Sequence, residues 1–299
     1  MNATTMKFLL AVSSREYSAD TLRLGTRVAM MFGAALTVAY VGRKPHEMHA
    51  TQINMARDNL SRWKIYHPGV DVLHWAFEEI QTLCPLESGI RESSFDPDQF
   101  VKEDDRYRFI LPKSVDCPVD LILREGEIIT ELREELLDDQ YDLTIIGASR
   151  GKRKKAHDLL QYLPCSVFVV QNLDLERDYK ILLLVDDSDA TKRAVNFGAT
   201  IAQQMGYPIR TLTVSKTRRF GPGYSGAAEA AREALQAQGL EPEQFFLTGD
   251  PVNTFVEFAG EDHILVMGAS SQNPLRKLFR GSKPIQTLKR SNAPILIVK

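Results

Sequence analysis

The sequence predicts an α/β protein built from two similar domains, each a mostly parallel five-stranded sheet with helices on both faces. Three observations predict it. The chain repeats itself, its apolar runs are strand-sized, and those runs alternate with stretches of helical periodicity. "MKFLLAVSSREYSADTLRLGTRVAMMFGAALTVAYV" opens the first half, and "YKILLLVDDSDATKRAVNFGATIAQQMGYPIRTLTVS" opens the second. Further on, "LILREGEIITELREELLDDQYDLTIIGAS" matches "FFLTGDPVNTFVEFAGEDHILVMGAS". Each half closes on a β-branched run, "SVFVVQ" and "PILIVK". The polar segment from Asn172 to Asp178 separates them, giving domains at 1–172 and 178–299.

Each repeat opens with an apolar strand, a polar turn and an amphipathic helix. A glycine (Gly33, Gly206) stops the helix, as a left-handed cap requires, and a second strand follows. The later block reads strand, Gly-containing turn, helix, strand, then Gly-Ala-Ser. Strands alternating with helices need right-handed crossovers, hence a parallel sheet. Nearly continuous apolar strands mean that both faces of that sheet are covered. The architecture is therefore Rossmann-like, and such sheets bind ligands outside the carboxyl ends of the strands, where the strand order reverses. The turn after the first strand and the turn after "IIGAS" or "VMGAS" are the places to look.

The first half carries an insertion at about 44–118. It reads as a helix around Met48 to Trp63, an apolar-striped helix around Val70 to Cys84, and a charge-rich stretch, "SSFDPDQFVKEDDRYRF", that suits a loop or a hairpin. The insertion is read as enlarging the core edge or covering a sheet, with partner binding as the alternative. The runs "SVFVVQ" and "PILIVK" are edge candidates. An exposed apolar edge needs a partner, so they are expected to pair across the halves as an intramolecular pseudo-dimer.

Composition narrows the function classes. The chain has 299 residues with 43% apolar and 25% charged, enough for two domains, and a net charge of −2 that gives no general attraction to nucleic acid or membrane. No apolar run approaches the roughly 20 residues of a membrane span. "MKFLLAV" is too short for a signal peptide core, and Arg15 and Glu16 follow it. Three cysteines without CxxC spacing point to packing residues in a reducing cytoplasm. The six histidines show no HExxH or i, i+4 pair, so no metal is expected. There is no GxSxG elbow and no GxxxxGK[ST] loop, so hydrolase and Walker-type chemistry lack support. The run "RGKRKK", Arg150 to Lys155, lacks interleaved aromatics and reads as a solvated face, with a nucleic-acid or acidic-partner patch as the alternative.

An apolar strand ending in Asp, a strand ending in Gly, a long loop ending in Gly-Ser and a final "APILIV" strand resemble the universal stress protein family. The resemblance covers both halves and implies a tandem member. The family's ATP-binding branch carries Gly, two residues, Gly, nine residues, then Gly-Ser/Thr. The second half is similar to this at Gly268, Ser271, Gly281 and Ser282, with Ser271 standing where the family has its second glycine. The resemblance further implies that Asp186 holds the nucleoside and that Val214 lines the adenine pocket. The first half departs further. From Gly147 to Val167 is 20 positions, against 27 from Gly268 to Ile295, so seven residues of the loop are missing. Ser13 stands at the acidic position. By resemblance, only the second half binds a nucleotide.

The chemistry of these residue types agrees. Converging backbone N–H groups, often before a helix N-terminus, hold phosphate, and glycine lets the backbone come close. Gly281-Ser282 opens the expected helix "SKPIQTLKR", with Ser282 either N-cap or phosphate ligand. Arg276, Lys277 and Arg280 are candidates to neutralise phosphate, although Leu275, Leu278 and Phe279 have the spacing of a short amphipathic helix whose wet face they would form. Asp186 is a candidate acceptor for a ribose hydroxyl or the adenine amine, and equally a candidate cap for the helix that follows. The expectation is a cytoplasmic stress-response protein binding ATP or AMP in its C-terminal domain, non-catalytic or only slowly hydrolytic, with no nucleic-acid or membrane partner. Homodimerisation is compatible with it. The alternative is a nucleotide-independent interaction protein acting through protein partners.

Overall fold

The structure is a computed structural model of the chain, and it describes residues 6–42, 68–83, 95, 100–110, 118–148, 153–174, 176–269 and 283–299. The predicted helix around Met48 to Trp63 and the cysteines at 84 and 117 lie outside these residues. The chain divides into two compact units, Met1–Tyr141 and Asp142–Lys299. This division falls inside the first sequence repeat, before its last two strands.

The first unit holds β1 (Lys7–Val12), α1 (Arg15–Met31), β2 (Ala35–Gly42), α2 (Pro68–Leu83), β3 (Val101–Glu103), β4 (Arg106–Ile110), β5 (Val119–Glu125) and α3 (Ile128–Asp138). Its strands run β1-β2-β5-β4-β3. The first three are parallel, and β5-β4-β3 is antiparallel. The charge-rich stretch of the insertion therefore contributes a hairpin, which covers the free edge of β5. That is the usual remedy for an exposed strand edge. Phe95, Phe100 and Phe109 pack their rings together beneath it, with centroids 5.2–5.8 Å apart.

A buried ionic cluster ties the hairpin to α3. Glu135 is fully buried and accepts from Arg124 Nη1 at 2.7 Å, Arg106 Nη1 at 2.8 Å and the Tyr141 hydroxyl at 2.9 Å. Arg124 Nε also donates to Glu131 Oε2 at 3.2 Å. Each charge out of water here has a partner, which buried charges require.

The second unit holds β6 (Leu143–Gly147), α4 (Arg153–Tyr162), β7 (Ser166–Val170), β8 (Lys180–Leu184), α5 (Asp189–Met205), β9 (Ile209–Ser215), α6 (Pro222–Gln236), β10 (Glu243–Thr248), α7 (Pro251–Ala259), β11 (His263–Gly268), α8 (Lys283–Arg290) and β12 (Ile295–Val298). Its strand order is β10-β9-β8-β11-β12-β7-β6. Strands β8 to β12 are mutually parallel, as are β6 and β7. The two blocks meet where β12 pairs antiparallel with β7, Ile295 opposite Val169 and Ile297 opposite Val167. This is the pairing of "SVFVVQ" with "PILIVK" that the apolar edges predicted. It also explains why β6, α4 and β7 fold with the second repeat. Gln171 Nε2 donates to the carbonyls of Ser291 at 3.2 Å and Ala293 at 2.8 Å, and Lys299 Nζ to those of Leu160 and Leu163.

Strands β8, β9 and β11 are buried along most of their length and β7 and β12 at every position, whereas the edge strand β10 is half-buried or exposed throughout. Helix α5 places Ala190, Ala194, Val195, Gly198, Ala199, Ile201 and Ala202 inside and packs on β8, β11 and β12. Helices α5 and α6 pack together, as do α7 and α8. Right-handed crossovers from this strand order set the two pairs on opposite faces. Gly206 caps α5 at φ 67° and Gly33 follows α1 at φ 57°, the left-handed conformation that the sequence pattern requires.

Candidate functional site

In the second unit, β8 is flanked by β9 on one side and β11 on the other. The crossover from β8 goes to β9, whereas β11 arrives on the other side. The strand order therefore reverses between β8 and β11, and the crevice of an open α/β sheet opens at the carboxyl ends of such a pair. Asp186 lies two residues past β8, Gly268 is the last residue of β11, and Lys283 is the first of α8. Val214 sits in β9, buried. Asp186 and Lys283 face each other across the end of the sheet, and Gly268 stands against Ala190 in the first turn of α5.

The Asp186 carboxylate is asymmetric in its bonding. Oδ1 accepts from Ser188 Oγ at 2.6 Å, Thr191 Oγ1 at 2.8 Å and the Ser188 N–H at 3.1 Å. Oδ2 faces the Lys283 ammonium at 3.7 Å. Burial alone raises the pKa of this carboxyl. The bonds from Ser188 and Thr191, with the Lys283 charge, outweigh burial and hold it below its ordinary value. Ser188 occupies the N-cap position of α5 but makes no capping bond with its side chain, because its hydroxyl is turned to Asp186. Oδ1 thus braces the turn, and Oδ2 retains acceptor capacity.

Gly268 is fixed by packing. A Cβ added there would lie 2.6 Å from the carbonyl carbon of Ala190 and 2.7 Å from its Cβ. The first turn of α5 rests directly on the end of β11, so only glycine fits. Ala269 N–H then donates to the Val298 carbonyl at 2.7 Å, holding the loop's first residue to β12. Ser271, Gly281 and Ser282, with Arg276, Lys277 and Arg280, lie outside the described residues, although α8 begins at Lys283, next to the expected cap.

The first repeat keeps the turn and loses the carboxylate. Ser13 N–H donates to Ser18 Oγ at 2.9 Å, the counterpart of the Asp186 N–H to Thr191 Oγ1 bond at 3.4 Å. The shortened connection is also visible in the ladder. Gly147 pairs with Val170, whereas Gly268 pairs with Val298, a difference of seven residues in the intervening segment. Among the described residues, no group of three or more His, Cys, Asp or Glu side chains could hold a metal ion. His263 is buried at the opposite end of β11, with Nδ1 2.8 Å from the Ala259 carbonyl oxygen. No helix among the described residues is long and apolar enough to cross a membrane.

Residues 179–299 match the sequence profile described as the universal stress protein family. The match covers the second half of the chain, from Tyr179 to its last residue. A universal stress protein of Methanocaldococcus jannaschii is 27% identical over 138 residues, 40% of this chain and 81% of that protein. A universal stress protein of Synechocystis is 27% identical over 186 residues, 58% of this chain and 63% of that protein. The crystal structure of a universal stress protein from Archaeoglobus fulgidus covers 97% of this chain and 96% of its own at TM-score 0.63 and 14% identity, a likeness of fold. Asp186 and Lys283 face each other at the switch point between β8 and β11, where β11 ends at Gly268. Lys283 was not legible as a site residue from the sequence. The signal that could have found it is its position, directly after the Gly-Ser pair and at the start of α8. Ser188 and Thr191, at i+2 and i+5 from Asp186, complete the brace.

Proposed function

We propose that the second unit of this chain binds an adenine nucleotide, ATP or AMP, without using it as a substrate. The single supporting observation is the half-satisfied Asp186 carboxylate facing Lys283 at the β8–β11 switch point, with Val214 buried in the neighbouring strand β9. Oδ2 suits a ribose hydroxyl or the adenine amine, and the loop from Ser271 to Ser282 supplies the phosphate cradle in this reading. No group among the described residues near Asp186 is placed as a base for an attacking water, so hydrolysis is slow or absent. The first repeat, with Ser13 in place of the carboxylate and a loop shorter by seven residues, binds no nucleotide. Action in the cytoplasm and as a tandem member belongs to the same proposal.

A second reading is favoured by the three hydrogen bonds on Asp186 Oδ1, which would hold the turn with no ligand at all. In that reading the chain is a nucleotide-independent interaction protein with protein partners. Calorimetric titration of the full chain with ATP and with AMP separates the two. Saturable heat at up to millimolar nucleotide, abolished or strongly weakened by Asp186→Ala or Gly281→Val, is expected. The absence of heat for both nucleotides would leave the interaction reading, and unchanged affinity in both variants would move the site elsewhere.

A further inference from the structure

Lys283 is placed where helix stability alone would not put it. It is the first residue of α8, and the first turn of that helix holds no acidic residue, while Lys289 and Arg290 occupy the last turn. A cation at a helix N-terminus opposes the helix dipole, and at the C-terminus it complements it. Lys289 and Arg290 follow that rule and Lys283 breaks it. Among the described residues the Lys283 ammonium also lacks a close partner. Its one contact among the described residues is Asp186 Oδ2 at 3.7 Å, longer than a direct hydrogen bond, and its side chain is 45% exposed. Among the described residues, the ammonium makes only this loose ion pair, with a carboxylate oxygen that is itself only half-used.

An acceptor and a cation held together in this way match a ligand that carries a donor next to an anion, which is a sugar hydroxyl beside a phosphate. A neutral nucleoside would have to share Oδ2 with a competing ammonium and offers that ammonium nothing in return. A phosphorylated one supplies Lys283 with a better partner and frees Oδ2 for the hydroxyl. We propose that Lys283 makes the site select phosphorylated over unphosphorylated nucleosides, exchanging its ion pair with Asp186 for one with the ligand's phosphate. The inference rests on the adenine-nucleotide reading above and adds to it the group that sets selectivity.

The test is calorimetry on the full chain with ATP, AMP and adenosine, comparing wild type with Lys283→Gln and Lys283→Arg, each verified as folded by circular dichroism. Wild type should bind AMP more tightly than adenosine. Lys283→Gln should weaken ATP and AMP by about tenfold, the loss of one charge-assisted contact, while adenosine stays within about twofold. Lys283→Arg should restore most of the loss. If wild type binds ATP but the AMP-to-adenosine ratio is the same in Lys283→Gln, Lys283 is only a brace; this inference is then overturned and the nucleotide reading stands. If wild type binds none of the three, the nucleotide reading fails and takes this inference with it.

Discussion

Replacing Gly268 by alanine should destabilise the second unit with no ligand present, and the size of the effect follows from the contact. The new Cβ would meet the carbonyl carbon of Ala190 at 2.6 Å, its Cβ at 2.7 Å and its oxygen at 2.9 Å. Carbon atoms prefer about 3.5–4.0 Å, so the two elements must separate by roughly an ångström. Strand β11 cannot supply that shift, because it is hydrogen-bonded to β8 on one side and β12 on the other. The first turn of α5 must move instead, and it carries buried Ala190, Thr191 and Ala194 with it. Thr191 is one of the donors to Asp186, so the brace on the carboxylate is disturbed as well. Overpacking of this kind costs about 1–3 kcal/mol, and a backbone contact belongs at the upper end. Alanine's lower conformational entropy in the unfolded chain recovers about 0.5–1 kcal/mol. The expected net loss is about 2 kcal/mol. Urea denaturation followed by far-UV circular dichroism measures it, with hydrogen exchange of α5 and β11 peptides to localise the effect. Tryptophan fluorescence would mislead, since Trp63 and Trp75 both belong to the first repeat. A variant within about 0.5 kcal/mol of wild type and with unchanged exchange at α5 would refute the packing argument. It would leave phosphate approach as the reason for this glycine.

Two further outcomes follow from buried and half-buried charges. Glu135→Ala should cost the first unit about 1–3 kcal/mol, because it removes the carboxylate shared by buried Arg124, Arg106 and Tyr141, while Arg124 keeps Glu131 and Asp138 and Arg106 keeps Glu103 and Asp139; a loss under about 0.5 kcal/mol in urea denaturation would show that water reaches the cluster. Asp186 has a folded pKa below its ordinary value, so it contributes stability above the unfolded carboxylate pKa, and that contribution is lost as pH falls through the folded value. Asp186→Asn should therefore be less stable than wild type at neutral pH, with the gap closing as pH falls below about 4. A gap constant with pH would place the effect in the hydrogen bonds rather than in the charge.

The sequence carried the local grammar. Strand–helix alternation, the glycine stops at Gly33 and Gly206 and the apolar burial of β8, β11 and β12 were all legible, because each depends on residues close in the chain and on a period of 2.0 or 3.6. The pairing of the two terminal runs was legible too, since two apolar edges have one good solution. The cluster around Glu135 was not. Arg106, Arg124 and Glu135 are far apart in sequence, and each reads singly as a solvated surface residue. Only the hairpin's return to β5 brings them together out of water.

By itself, the sequence determined a doubly wound α/β protein made of two repeats, of which only the second keeps an acidic residue after its first strand and a full-length loop. It did so through local periodicity and through comparison of the chain with itself. Tertiary structure alone decided the rest. It assigned β6, α4 and β7 to the second unit through the antiparallel β7–β12 pair. It gave Gly268 a packing duty against Ala190, and it divided the Asp186 carboxylate between a brace on Oδ1 and an open face toward Lys283. The physical reason is common to all three. Close approach between residues far apart in the chain is set by how strands align and helices dock, and no spacing along the sequence encodes that distance.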